Sequence, residues 1–170
     1  MHSAYVELRD ALAEDLLDRI IEQDFAFFER LVIDVLTKMD YGSGEQLGGS
    51  GDGGVDGMIN EDRLGLDRIY VQAKRWTNSV SRPDVQGFVG ALAGRGATKG
   101  VFITTSVFTQ GAKDYVNTVQ PRIVLIDGKQ LANLMLDYGV AVSTETEYSV
   151  LRLDLDYFTD EGAAVPPEAA

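Results

Sequence analysis

Two short apolar runs, Val101-Phe102-Ile103 and Ile123-Val124-Leu125-Ile126, constrain this chain more than any other feature. A strand with one wet face alternates apolar and polar residues, so an unbroken apolar run of this length needs cover on both faces. Each run is followed by a capping signal and a helical stripe. Thr109 reads as the cap of a helix carrying Ala112, Tyr115, Val116 and Val119. Asp127-Gly128 turns into one carrying Leu131, Leu134 and Met135. Strand, helix, strand in this order predicts a right-handed parallel crossover. The simplest assembly is a central mixed sheet with helices on both faces, a three-layer α/β/α fold.

The amino-terminal third adds two helices. Residues 5–22 place Leu8, Leu12, Leu16 and Ile20 at four-residue spacing with acids opposite, and Asp24 is a fitting N-cap for a second helix over 25–39. On that helix Phe28, Leu31, Val32, Val35 and Leu36 form one stripe. A step of about 100° per residue sets Glu29 at its margin, while Asp34 points away. Residues 41–54 carry seven glycines and no periodic pattern and read as a loop. Ser81 with Asp84 three residues on resembles a capping box for a helix bearing Val85, Phe88 and Leu92 and closing at Gly94 or Gly96. Residues 148–153 alternate as a further edge strand would. The division expected is a helix over 1–24, a core over 25–158 and a disordered tail over 159–170, whose Gly, Pro and Ala content favours disorder.

Chemistry concentrates between Gly48 and Trp76. After the glycine-rich run, 56–59 is expected to pair with 69–75 as a hairpin turning at Leu64-Gly65. Strand alternation puts Ile69, Val71 and Ala73 on one face and Tyr70, Gln72 and Lys74 on the other, so Gln72 and Lys74 project together. Pairing then brings Asp56 beside them. A carboxylate, an amide oxygen and an ammonium around one small volume suit a metal and a phosphate. Mg²⁺ prefers oxygen ligands and keeps several waters, so Asp56, Gln72 and the backbone carbonyl of Ala73 suffice when phosphate supplies the rest. Lys74 alongside can orient water or balance charge growing on phosphorus. Asp52 is the runner-up acid in the loop. Arg75, Thr104, Thr105 and Ser106 fall at the carboxyl ends of predicted strands, a usual place for ligand contacts.

Two rival readings of the glycine run fail. The calcium-binding nonapeptide of a β-helix needs several stacked copies, and there is one. A phosphate-cradling P-loop ends in Gly-Lys-Ser or Gly-Lys-Thr before a helix, and neither follows here.

The ordered blocks G-G-S-G-D-G-G-V-D-G from Gly48, Gln72-Ala73-Lys74-Arg75, K-G-V-F-I-T-T-S-V-F-T from Lys99, and I-V-L-I-D-G with Leu131 resemble the catalytic domain of the Mrr family. That family comprises modification-dependent restriction endonucleases of the PD-(D/E)xK nuclease superfamily. The resemblance spans about residues 25–142 and implies a restriction-endonuclease-like fold and Mg²⁺-dependent hydrolysis of DNA, with Mn²⁺ an expected substitute. It implies Asp56, Gln72 and Lys74 as the catalytic set, glutamine being the Mrr-type usage where the superfamily more often has an acid. An acid on the first core helix, matched by Glu29, supports the site through water. Arg75, Thr105 and Ser106 become candidate DNA contacts. Two departures stand out. Family members often carry glycine where Asp40 stands, and a separate winged-helix domain usually precedes the catalytic one, whereas only about 24 residues do so here. The expected partners are therefore double-stranded DNA, methylated or not, a recognition domain or subunit, and a second copy in a homodimer. A non-cleaving DNA-binding module of the same fold and a junction-resolving nuclease stay open as alternatives.

Composition sets the remaining bounds. A chain of 170 residues suffices for one core, and without cysteine it has neither a disulfide framework nor a thiolate metal site. No signal peptide or membrane-length apolar run is evident, which leads to the expectation of a cytoplasmic protein. The net charge of −12 is uneven: residues 52–130 hold ten Lys and Arg against eight Asp and Glu, and each flank has seven acids in excess. A mildly basic core permits contact with phosphate.

Overall fold

The hairpin expected between 56–59 and 69–75 forms, with 57–60 pairing 68–71, and organises the sheet around it. The structure, a computed structural model, describes residues 2–39, 43–46 and 54–158. Along the chain lie α1 (His2–Ile21), α2 (Phe25–Lys38), β1 (Ser43–Gln46), β2 (Gly57–Asn60), β3 (Arg68–Lys74), α3 (Arg82–Gly94), β4 (Lys99–Thr104), α4 (Gln110–Val116), β5 (Arg122–Ile126) and α5 (Gly128–Tyr138). A short 3₁₀ turn, Asp156–Phe158, follows. Among the described residues the sheet has five strands in the order β1-β2-β3-β4-β5. β1, β2 and β3 pair antiparallel, and β3, β4 and β5 pair parallel.

Each face of the sheet has its own core. On one side Ile59, Ile69, Val71, Ala73 and Ile103 meet Leu16 and Ile20 of α1, the Phe28-to-Leu36 stripe of α2, and Leu131 and Met135 of α5. On the other, Val55, Phe102 and Ile123 meet Val85, Phe88 and Leu92 of α3 and Ala112 of α4. Phe102 holds Phe88 and Phe108 edge-to-face at 5.5 and 5.6 Å, the arrangement ring quadrupoles favour. Gly100 is small because those rings lie close: a Cβ there would come within 2.8 Å of Phe88 and Leu92.

The capping signals are all present. Asp24 accepts from Phe27 N at 2.7 Å, Thr109 from Ala112 N at 3.2 Å and Asp127 from Gln130 N at 2.9 Å. Ser81 and Asp84 close their reciprocal box, and Gly96 takes the positive φ after α3. The hairpin turn is knotted by Asp62, whose carboxylate accepts from Leu64 N and Asp67 N at 2.7 and 2.6 Å. These backbone donors, Asp67 foremost, hold Asp62 below the usual carboxylate range.

Three expectations need correction. Within the stretch read as loop, Ser43–Gln46 is the edge strand β1, paired with β2 from Ser43↔Asn60 to Gln46↔Gly57. β5 is not covered on both faces: it is the opposite edge of the sheet, and Val124 is 49% exposed. Residues 148–153 form no strand and lie exposed. α1 is part of the layer containing α2 and α5, with Arg9 paired to Asp137 of α5 at 2.5 Å. Asp40, Asp52 and the expected tail over 159–170 lie outside the described residues.

Candidate active site

The last rung of the β2–β3 ladder makes the site. Gly57 pairs with Val71, and one residue earlier Asp56 donates its backbone N–H to Val71 O at 2.8 Å. Past that rung β2 no longer supplies a backbone acceptor to β3. The Asp56 carboxylate takes its place: Oδ2 accepts from Ala73 N at 2.8 Å and from Gln72 Nε2 at 2.5 Å. N–H and C=O of one strand residue point to the same side, so the Ala73 carbonyl faces the same gap. The residue that ends the ladder therefore sits where β3 offers a side-chain amide and a backbone carbonyl together.

Gln72 is 2% exposed on the α3 side of the sheet. Gly54 fixes where its amide lies. With φ of +87°, Gly54 adopts a backbone that other residues avoid, and a Cβ there would stand 3.2 Å from Gln72 Oε1. Val55, buried against the α3 core, anchors the segment between Gly54 and Asp56. Lys74 follows two residues after Gln72 on the same face, about 7 Å along the strand. It is half-buried, with Nζ 5.5 Å from the centroid of Trp76, within the range of cation–π attraction.

Around this end of β3 the strand-end residues have defined partners. Thr104 Oγ1 donates to Lys74 O at 2.8 Å, Thr105 N to the same oxygen at 3.2 Å, and Thr105 Oγ1 to Trp76 O at 2.7 Å. Ser106 Oγ donates to Thr77 O at 3.2 Å. The hydroxyls of Thr104 and Thr105 are buried and clamp the chain that leaves β3, so they position Lys74 and Trp76. Arg75 Nη1 donates to Ile21 O at 2.6 Å and ties the α1–α2 corner to the same end of the sheet. Glu29 lies half-buried one turn into α2, about 6 Å along the helix from Phe25. α2 covers the face opposite Gln72 and Lys74, so Glu29 belongs to the other layer.

Of the residues the sequence singled out, the structure joins Asp56 to Gln72 and Ala73 by hydrogen bonds and sets Lys74 two residues beyond Gln72 on the same strand face. The sequence reading missed Gly54 and Trp76 as supports. Gly54 was hidden in a run of glycines with nothing to single it out, and no local pattern ties Trp76 to Lys74. Among the described residues no group of three or more His, Cys, Asp or Glu is placed to hold a metal. The donors at the end of β3 are instead one carboxylate, one amide and one carbonyl, all hard oxygen donors.

A mixed sheet whose antiparallel hairpin delivers an acid beside a Gln-x-Lys strand defines a nuclease-type α/β/α architecture, and the comparisons agree. The profile of a family described as "Restriction endonuclease" matches residues 21–135. The chain belongs to this family, in its Mrr-type catalytic branch. It is 47% identical over 162 residues to the type IV methyl-directed restriction enzyme EcoKMrr of Escherichia coli (strain K12). That alignment covers 93% of this chain and 53% of the relative, so the chain spans about half the length of the curated relative it matches. Among solved structures, MspJI restriction endonuclease in complex with a 27-mer oligonucleotide is similar at a TM-score of 0.58 and 31% identity, over 75% of this chain and 31% of that one. The DNA modification-dependent restriction endonuclease AspBHI shares the fold at a TM-score of 0.61 and 21% identity, over 78% of this chain and 36% of its own. The fold is thus restriction-endonuclease-like.

Proposed function

We propose that this domain hydrolyses phosphodiester bonds in double-stranded DNA with Mg²⁺, as the cleavage domain of a modified-DNA restriction enzyme. The observation that carries the reading is the Asp56 carboxylate closing the β2–β3 ladder against Gln72 and Ala73, with Lys74 next on the same face. The same contacts close the hairpin end, and a buried amide and a carboxylate converging beside a backbone carbonyl are also what an oxygen-ligated ion needs.

The donor set fits a divalent cation of the Mg²⁺ type, which is content with few protein ligands when substrate phosphate completes its shell. Asp56, Gln72 and the Ala73 carbonyl would hold it, and Mn²⁺ would substitute. Such an ion supplies charge neutralisation at the scissile phosphate and makes water more acidic. Gln72 now presents Nε2 to Asp56, and rotating the amide exchanges Nε2 for Oε1, the atom a cation requires. With one carboxylate among the three ligands, binding is weak until phosphate arrives.

Lys74 holds the attacking water or offsets charge building on the phosphorus, from a backbone fixed by Thr104 and Thr105. Glu29 supports the site through water from the α2 layer. Arg75 and Ser106 lie at the rim as phosphate contacts, and Thr105 acts by holding the loop. A recognition domain or subunit selects the DNA, methylated or not. No helix among the described residues is long and apolar enough to cross a membrane, and on this reading the enzyme works on DNA in the cytoplasm.

The test is digestion of methylated and unmethylated supercoiled plasmid side by side, in Mg²⁺, in Mn²⁺ and in EDTA, with gel-shift binding in Ca²⁺. Nicking or linearisation with either ion and none in EDTA is the expected result. Binding without a cut in Mg²⁺ or Mn²⁺ would replace this reading with a non-cleaving DNA-binding module. Strong preference for branched over linear duplex would reassign it to junction resolution.

A further inference from the structure

Among the described residues β5, Arg122–Ile126, is an uncovered edge of the sheet, with Val124 49% exposed. Natural proteins blunt such edges with prolines, bulges or short strands bearing inward charges. β5 has an arginine at its start and is apolar from there on. A groove runs along its open side between the strand and α5, lined by Val124, Ile126, Leu134 and Lys129 among others.

Further along, Leu151–Leu155 reads Leu, Arg, Leu, Asp, Leu, an alternation with one apolar face and the same length as β5. It joins no strand among the described residues. Leu151, Leu153 and Leu155 stand 90%, 68% and 67% exposed, an apolar patch of the kind that marks an interaction site.

We propose that residues 151–155 of one copy add as a strand to the β5 edge of a second copy, their leucine face over the groove beside α5, so that two copies exchange strands across a two-fold axis. For a parallel strand, the topology selects a second copy over the strand's own chain. From β3 to β5 the sheet advances with α3 and α4 on one face, whereas α5 lies on the other. A chain leaving α5 to lay a parallel strand beside its own β5 would keep the direction and switch the face, reversing the crossover hand that is right in about 98% of cases. A neighbouring molecule delivers the strand without that constraint, and reciprocal exchange makes a closed, isologous pair.

Charge favours the same pairing. Residues 131–170 hold eight acids and one cation, against ten cations and eight acids in 52–130. The exchanged segment itself carries Arg152 and Asp154, and the groove it would cover carries Asp137 and Lys129, so each charge has an opposite to meet.

Sedimentation equilibrium of the full chain at micromolar concentration is expected to give twice the monomer mass. Leu153→Lys and Val124→Lys, both at exposed positions, are expected to return it to monomer mass with an unchanged circular dichroism spectrum. Because the chain has no cysteine, single variants Val124→Cys and Leu153→Cys, one of them size-tagged, can be mixed and oxidised, and a mixed disulfide is the expected product. A monomeric parent chain, a dimer indifferent to both lysine substitutions, or the absence of a mixed disulfide between the two cysteine variants would each overturn the exchange.

Discussion

Asp56 serves two ends, and substitutions separate them. Its Oδ2 satisfies Ala73 N–H, a donor that the ladder leaves without a backbone partner, and Ala73 is 1% exposed. Asp56→Ala is expected to cost about 1–3 kcal/mol in denaturant unfolding because that buried donor loses its acceptor. Asp56→Asn retains a carbonyl oxygen and is expected to keep most of that stability while losing metal-dependent cleavage. Equal stability of the Ala variant and the parent would mean that the contact does not hold the hairpin end. Gln72 offers the complementary change. Gln72→Glu sets a second buried carboxylate against Asp56, where two like charges repel without a cation. Its melting temperature without metal is expected to fall below the parent's, and added Mg²⁺ is expected to raise it by more than it raises the parent's. The absence of a Mg²⁺-dependent difference would argue against an ion between the two residues.

The same residues show what local sequence reveals. Alternation set the face of Gln72 and Lys74, and the expected hairpin brought Asp56 beside that pair without reference to the rest of the fold. The partners of Arg75 and Thr104 were not legible, because they are backbone carbonyls 54 and 30 residues away in sequence. A threonine at a strand end looks the same whether it faces a ligand or clamps a neighbouring loop.

At the level of elements, the site is held in place by close approaches that only glycine permits. Gly128 opens α5 directly against the loop after β4, its N–H donating to Ser106 O at 2.9 Å. A Cβ at this position would lie inside van der Waals contact with the Thr105 carbonyl. Gly128→Ala is therefore expected to destabilise the fold by about 1–3 kcal/mol and to slow nicking, because the displaced loop is the one clamping Lys74. Gly87 in α3 has open space around its Cβ position, and Gly87→Ala is the control, expected to gain up to about 1 kcal/mol from helix propensity. Stability measured by denaturant titration, beside nicking rate, reads both. Helix ends were legible at this scale because their caps are local. β1 was not: Ser43-Gly44-Glu45-Gln46 lacks β-branched or aromatic residues, and its strand comes from pairing with β2. Gly44 lets the strand lie against α2, since a Cβ there would meet Ile33 and Thr37. For β5 the reading failed differently, because an apolar run does not say whether its strand is central or at an edge.

Across the whole molecule, the antiparallel hairpin and the parallel β3–β4–β5 half meet at β3, and the carboxyl end of that strand collects residues from both halves. Asp56 arrives from the hairpin, Thr104 and Thr105 from the parallel side, and Arg75 fastens the α1–α2 corner there. Charge follows the same plan: the mildly basic middle carries the site, and the acidic flanks account for the net −12. Binding to DNA is accordingly expected to rest on few cations and to need the metal.

The most direct measurement is cleavage of supercoiled plasmid in Mg²⁺ by Lys74→Ala, with DNA binding in Ca²⁺ and melting temperature followed on the same preparation. Lys74 is half-buried with its Nζ over the Trp76 ring, so binding and melting should stay close to the parent's while nicking falls by at least about a hundredfold, the scale of a lost transition-state contact. Cleavage by Lys74→Ala at the parent's rate would contradict the assignment of this strand end as the catalytic centre.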